Sequence, residues 1–90
     1  MTDIHASSCR AMWSAVLMAV MDDYNRDWQR PDMRHATLCR ARSYFASQDG
    51  RQVAAMAGIE VNIDAALAAI ALPRREWKLR ASRIEEARAA

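Results

Sequence analysis

Two His-Cys pairs are the residues of this sequence whose types and spacing best suit the chemistry of a metal site. His5 and Cys9 lie in "HASSC", and His35 and Cys39 lie in "HATLC". Residues four apart share one face of a helix, so the two pairs could supply the four nitrogen and sulfur ligands of a tetrahedral zinc ion. Structural zinc sites usually also contain a tight turn between two cysteines, which this sequence lacks. We therefore expect no metal cofactor and interpret the two similar segments as coincidence, with an old helix duplication as the alternative.

Three carboxylates near the end of the first predicted helix are a second candidate site. Asp22, Asp23 and Asp27 could together hold a divalent cation. The C-terminal half of a helix disfavours negative charge, however, and Arg26 and Arg30 lie close enough to pair with these aspartates. The sequence has no phosphate-binding glycine loop, nucleophile elbow or metalloprotease motif. We therefore expect neither enzyme activity nor a cofactor.

The composition predicts one small helical domain. The 90 residues are 52% hydrophobic and include only two Gly and two Pro. Alanine is abundant and β-branched residues are few, which favours helices. We expect a single domain over residues 1–90, with fraying at 1–6 and 86–90. The apolar run at 15–21 is too short to span a membrane, so we expect a cytoplasmic protein without a membrane partner.

Charge alternates along the chain instead of collecting in one tail. Residues 1–29 carry two Arg and four Asp, whereas residues 30–51 carry five Arg and two Asp. Residues 52–72 carry only Glu60 and Asp64, and residues 73–90 carry five Arg, one Lys and three Glu. The formal net charge is +2. This pattern is typical of a mixed surface with two basic segments, not of a strongly basic nucleic-acid-binding protein.

Helix signals divide the chain into four or five helices. Apolar residues three and four apart predict helices over 7–28 and 31–47, the second opened by Pro31. The "SQDG" segment (47–50) is predicted to be a turn, followed by a short helix over 51–57 that Gly58 ends. Asn62 is expected to cap a fourth helix that runs to residue 72, and Pro73 to open a fifth. The predicted fold is a compact all-α bundle with a degenerate helix-turn-helix in the middle.

Each predicted helix has an apolar face. The stripe of the first helix consists of Cys9, Trp13, Val16, Val20 and Tyr24. The inner faces of the later helices consist of Leu38, Ala41 and Phe45, then Ile63, Leu67 and Ile70, and last Trp77, Ala81 and Ile84, with Leu79 pointing the opposite way. These faces are expected to form the core.

The middle of the chain has the local signals of a helix-turn-helix. Ala54 is small enough for a helix crossing, Gly58 suits the turn, and the apolar Ile59 follows it. The helix that follows carries Glu60 and Asp64 near its start, and these carboxylates would repel phosphates. A DNA-binding regulator is therefore the alternative function. Its predicted nucleic-acid-binding residues are Arg51, Asn62, Arg80 and Arg83.

The segment "ARSYFASQDGRQVAAMAGIEVNI" (41–63) resembles one found in small proteins of phages, prophages and gene-transfer agents. The matching positions are Tyr44, Phe45, Ser47, Asp49, Val53, Ala57, Gly58, Ile59 and Glu60, with Trp13 on an upstream helix. The resemblance ends after Glu60, where "VNID" replaces a short turn and an apolar-basic pair. It implies a mobile-element origin and no particular reaction. Anti-CRISPR inhibitors, which occupy a host macromolecule, are an analogous class.

These observations predict a binding protein whose partner is a host protein or ribonucleoprotein, in the host cytoplasm. The predicted contact surface has Met18 and Met21 at its centre, since methionine adapts to partner surfaces. Its basic rim consists of Arg42, Arg74, Arg75 and Lys78. Two alternatives stay open: the methionines belong to the core, or the surface forms a homodimer. Nucleic acid is a less favoured partner.

Overall fold

The computed structural model describes the backbone of residues 2–89 and the side chains of residues 8–87. Within that range the chain forms five α-helices and no strand, which confirms the predicted all-α class. The helices are α1 (Thr2–Trp28), α2 (Arg34–Ala46), α3 (Gln48–Ala57), α4 (Ile63–Ile70) and α5 (Arg74–Ala89), and a 3-10 turn (Pro31–Met33) precedes α2. The fraying predicted for 1–6 and 86–90 stays a prediction, because much of both stretches lies outside the described side chains.

Local capping residues set the ends of α3 and α4 as predicted. Gly58 has a φ of 69°, the left-handed conformation, and the backbone N–H of Ile59 donates to the Ala54 carbonyl at 2.9 Å. This arrangement satisfies the last carbonyls of α3. The side chain of Asn62 accepts a hydrogen bond from the backbone N–H of Ala65 at 3.0 Å and so caps α4.

Three predicted helix boundaries differ from the structure, and Pro73 opens α5 as predicted. The first helix begins at Thr2 and not at residue 7. The helix expected from residue 31 begins as a 3-10 turn and becomes α-helical at Arg34. The fourth helix ends at Ile70, two residues earlier than predicted, and residues 71–73 form the link to α5. The Pro73 carbonyl accepts from the Trp77 N–H at 3.0 Å, so Pro73 stands just before α5.

The "SQDG" segment is a helix start and not a turn. The Ser47 hydroxyl accepts from the Gly50 N–H at 3.1 Å and donates to the Tyr44 carbonyl at 2.6 Å. Ser47 is therefore at once the end of α2 and the cap of α3. Gly50 is buried where a Cβ atom would overlap the Tyr44 carbonyl oxygen. Close packing of the two helices thus replaces the expected turn.

The core lies between α1, α2 and α4. Its buried cluster consists of Leu17, Ala41, Phe45, Ala66, Leu67 and Ile70. Half-buried residues of α3 and of the 58–62 loop pack against it, among them Val53, Ile59 and Val61. The rings of Tyr24, Tyr44 and Phe45 meet at tilted or edge-to-face angles, with Tyr44 and Phe45 centroids 5.4 Å apart. Such aromatic pairs add to the apolar burial.

The buried face of α1 differs from the predicted stripe. Leu17 lies in the core beside the buried polar residues Ser14 and Asn25, whereas Val16, expected inside, is 38% exposed. Because the buried face of α1 includes polar residues, the spacing of apolar residues alone does not identify it. In α5, Ile84 was also expected inside and is 37% exposed, because the helix is buried only around Trp77 and Ala81.

The helix α1 is the spine of the molecule. Within the described residues α2, α3, α4 and α5 each pack against it, and α2 also packs against α3 and α4. The close packing of α5 is with α1. The result is a flat, elongated particle with Cα extents of 49 × 28 × 16 Å. Such a shape leaves one side of α1 without a covering helix.

Candidate functional site

A polar cluster joins α1 to the start of α5. We call it the hub; its members are Asp22, Asn25, Gln29, Arg74 and Trp77. The fully buried Asn25 amide donates to the carbonyls of Ile70 and Leu72, each at 2.9 Å, and its oxygen accepts from Arg74 at 3.1 Å. The Gln29 amide donates to the same Leu72 carbonyl at 2.9 Å. The α4–α5 link is thereby held on the side of α1.

Asp22 is the most heavily bonded member of the hub. One carboxylate oxygen accepts from the Trp77 indole N–H at 2.7 Å and from Arg74 at 2.8 Å. The other accepts from Arg26 at 2.9 Å and from Arg74 at 3.3 Å. Burial alone raises the pKa of the Asp22 carboxyl, but the hydrogen bonds from Arg74 and Trp77 and the charges of Arg74 and Arg26 outweigh it, so the pKa lies below its ordinary 3.8.

The hub has a structural role and was missed by the sequence reasoning. Asp22 was expected only to be paired or solvated, and Arg74 was assigned to a contact rim. Both are committed to each other inside the chain. Because its pKa is lowered and both of its carboxylate oxygens already accept hydrogen bonds, Asp22 is a poor general base. Its two partners on α5, Arg74 and Trp77, lie 52 and 55 residues away along the chain, so no local pattern could reveal them.

The residues of the predicted partner surface lie on three helices, α1, α2 and α5. Met21 packs against the core cluster, and Met18 is half-buried in a groove between α1 and α5. Arg42 lies on α2 and pairs with Asp64 of α4 at 3.4 Å. Arg75 and Lys78 are exposed on α5. Because Met21 is half-buried against the core and Arg74 is bonded within the hub, we leave both out of the contact surface that we propose below.

A different apolar surface runs along the open side of α1. We call it the α1 patch; it consists of Ala11, Met12, Ala15, Val16 and Ala19, all exposed. Met12 is 56% exposed and Val16 is 38% exposed. These positions repeat at steps of three and four and so share a face. The sequence signal that points to this surface is the absence of any charged residue from 11 to 21.

The helix-turn-helix keeps its turn but not its packing. Ala54 is buried and Gly58 and Ile59 adopt the expected turn. Within the described residues, however, α3 packs mainly against α1, whereas α3 and α4 are not a closely packed pair. A DNA-binding helix-turn-helix relies on contact between those two helices to aim the second one. The predicted degenerate motif is therefore a turn within a different arrangement.

Several basic residues are already engaged within the chain. Arg26, Arg40, Arg42 and Arg74 form ion pairs, and the Arg34 guanidinium lies 4.3 Å from the Trp28 ring centroid. Of the four residues predicted to bind nucleic acid, Asn62 caps α4, and Arg51, Arg80 and Arg83 are exposed on α3 and α5. Arg51 and the α5 pair are thus on different helices that the described packing does not bring together.

An open apolar groove of about 650 Å³ lies between the end of α2, α3 and the 58–62 loop. Its walls include Phe45, Ala54, Ile59 and Val61, with Arg51 and Glu60 as its charged members. Small-molecule sites combine apolar walls with several converging polar groups. This groove has the walls but a single opposite pair of charges, and we assign it no ligand.

Three of the four His and Cys side chains of the predicted pairs lie within the described residues. Cys39 Sγ lies 3.5 Å from His35 Nε2 on the exposed side of α2, which matches the helical spacing. Cys9 is half-buried on α1, and the His5 side chain lies outside the described residues. Among the described residues, no three His, Cys, Asp or Glu side chains are grouped to hold a metal ion.

None of the helices described here is long and apolar enough to cross a membrane. Searches of protein-family profiles, of curated protein sequences and of solved structures found no match to this chain. The resemblance to phage and gene-transfer-agent proteins therefore stays a hypothesis.

Proposed function

We propose that this protein acts by binding another protein through the α1 patch. The observation that carries the proposal is an uncharged, solvent-exposed helix face, with Met12 and Val16 projecting between three exposed alanines. Large exposed apolar side chains grouped on one face are typical of protein-binding surfaces. Methionine adds adaptability, because its unbranched side chain fits irregular partners.

The chemistry of the patch favours an apolar helix of the partner. The exposed alanines Ala11, Ala15 and Ala19 allow a second helix to approach closely, while Met12 and Val16 can fill the groove between its side chains. Asp23, exposed one turn beyond Ala19, gives that end of the patch a negative edge. We therefore expect a partner with an apolar helical face and basic residues beside it.

A narrower version of the proposal rests on the resemblance of residues 41–63. Mobile-element proteins of this size often act by occupying a host macromolecule, and we propose a defence complex of the CRISPR type, a ribonucleoprotein, as the target class. The resemblance supports a mobile-element origin, and only the analogy with anti-CRISPR inhibitors points to that target.

Site-specific photo-crosslinking in the native host cell tests the proposal. A photoreactive amino acid is placed at position 12 or, as the matched control, at position 56. Met56 is also a methionine on a helix surface and is 45% exposed, but it lies on α3. We expect one discrete protein adduct from position 12 and none of the same mass from position 56. Equal adduct patterns from both positions would reject the α1 patch.

The alternative, a DNA-binding regulator, predicts a different result. Binding through phosphate contacts would weaken steeply with salt, because each contact releases counterions. With carboxylates at the start of α4 and basic residues spread over separate helices, we expect no duplex binding tighter than about 10 μM near physiological salt. A tight, sequence-dependent gel shift under those conditions would favour the regulator instead.

A further inference from the structure

The helix α5 stands apart from the main core. Among the described residues, the buried core cluster and the side chains packed on it come from α1 to α4 and the loops between them. Among the described side chains of α5, Trp77 is the large one that is buried, with 1% of its surface exposed, and it does not belong to that cluster. The core that holds α1, α2 and α4 together is therefore complete without α5.

The attachment of α5 is concentrated in its first turn. Arg74 and Trp77 both bond to Asp22, and the preceding link bonds to Asn25 and Gln29. From Lys78 to Ala87 every side chain is exposed except that of Ala81, which is half-buried. Most of the helix therefore adds little burial, and an isolated stretch of this length is a marginal helix in water.

We propose that α5 is a strap that opens as a unit while α1–α4 stay folded, and that the Asp22 contacts with Arg74 and Trp77 are its fastening. The strap borders the α1 patch. Ala15 and Ala19 of the patch, together with Met18 and Asp22, line a groove of about 250 Å³ against Trp77, Ala81 and Glu85 of α5. Opening exposes the side chain of Met18, which lies next to the α1 patch, and so enlarges the exposed apolar surface of α1. The opening itself needs no partner and does not depend on the proposed function.

Hydrogen exchange of the full-length protein, followed by mass spectrometry, tests the strap. In Asp22→Ala, the backbone amides of residues 78–83 are expected to exchange about tenfold faster or more than in the wild type. The amides of residues 41–45 and 66–70, in α2 and α4, should keep their protection. The matched control is Asp23→Ala, which removes the neighbouring carboxylate, an exposed one that forms no ion pair among the described residues.

Three results would overturn the proposal. Equal acceleration in α2, α4 and α5 would mean that α5 belongs to one cooperative unit. Unchanged exchange in α5 would mean that Asp22 does not fasten it, and the same acceleration in Asp23→Ala would assign the effect to general charge. If Asp22→Ala does not fold, hydrogen exchange of the wild type in low denaturant tests the proposal instead.

The free energy of the opening that exposes the α5 amides must then depend less on denaturant concentration than that of the opening that exposes the α4 amides. Equal dependence would overturn the proposal.

Discussion

The Thr37 hydroxyl is fully buried in α2, and no partner within hydrogen-bonding distance is found for it in the described part of the chain. A buried hydroxyl without a partner loses its hydrogen bonds to water and gains none in return. Valine has nearly the same shape and no such group. Thr37 is therefore a position where the native residue weakens the fold.

We predict that Thr37→Val raises the free energy of unfolding by about 1 kcal/mol. For a domain of this size the melting temperature should rise by about 4–8 °C. Urea unfolding and thermal melting followed by circular dichroism measure both quantities. The control Thr37→Ser keeps the hydroxyl and loses a methyl group, so it should be destabilised. A Val variant less stable than the wild type would show that the hydroxyl has a partner after all.

Residues that act through their immediate neighbours could be predicted from sequence, and residues that act across the fold could not. Gly58 and Asn62 satisfy backbone groups within five residues, and both were assigned correctly. Asn25 bonds to carbonyls 45 and 47 residues away, and in a sequence it reads as an ordinary polar residue. Ser47 was misassigned because a serine before a glycine suits a turn as well as a cap.

At the scale of the helices, α1 shows why an apolar pattern failed to find the buried face. Its segment 11–21 has apolar or small residues all round, so several faces looked equally suited to the core. The choice is made by the other helices, which lie on the side of Leu17 and bury Ser14 and Asn25 there. Val16 and Met12 stay exposed to solvent and belong to the α1 patch.

The fastening of α5 should depend on pH through Asp22. Its pKa is lower in the folded than in the unfolded chain, so the ionised carboxylate stabilises the fold above pH 3.8, and this contribution is lost as the pH falls through the folded value. Arg26, Arg74 and Trp77 all face the carboxylate. Asp22→Asn removes this titration while the other carboxyl groups remain.

We therefore predict that the wild type exceeds Asp22→Asn in free energy of unfolding at pH 7, and that this difference shrinks as the pH falls below 3.8. Urea unfolding at pH 7, 5, 4 and 3 measures the difference, in which the other titrating groups cancel. A difference that stays constant over this range would show that the charge of Asp22 is not what stabilises the hub.

At the scale of the whole molecule, the fold class and helix order could be predicted, but the arrangement could not. Low glycine and proline content, capping residues and helical spacing indicated an all-α bundle. Whether α3 packs on α4, as in a helix-turn-helix, or on α1 is decided by contacts between distant parts of the chain. The same contacts pack Met21 against the core, leave Met12 exposed and bond Arg74 within the hub. The proposed binding surface therefore differs from the one predicted from the sequence.

The flat shape of the molecule gives the function proposal its physical basis. The helices α2, α3, α4 and α5 all pack against the spine helix α1, and the residues of the α1 patch stay exposed, with Ala15 and Ala19 at the border with α5. The exposed residues from 11 to 19 are uncharged. Contact between water and such a face is unfavourable. Removing the face from water against an apolar partner surface therefore contributes favourable binding free energy.

Competition for the crosslink formed from position 12 tests most directly whether the α1 patch binds a protein. Unlabelled wild-type chain and Met56→Glu, each in excess, are expected to reduce the adduct by about tenfold or more. Met12→Glu, shown to be equally folded by its thermal melting, should leave the adduct intact, because a charge in an apolar interface loses its hydration without gaining a partner. If Met12→Glu competes as well as the wild type, the patch is not the binding surface.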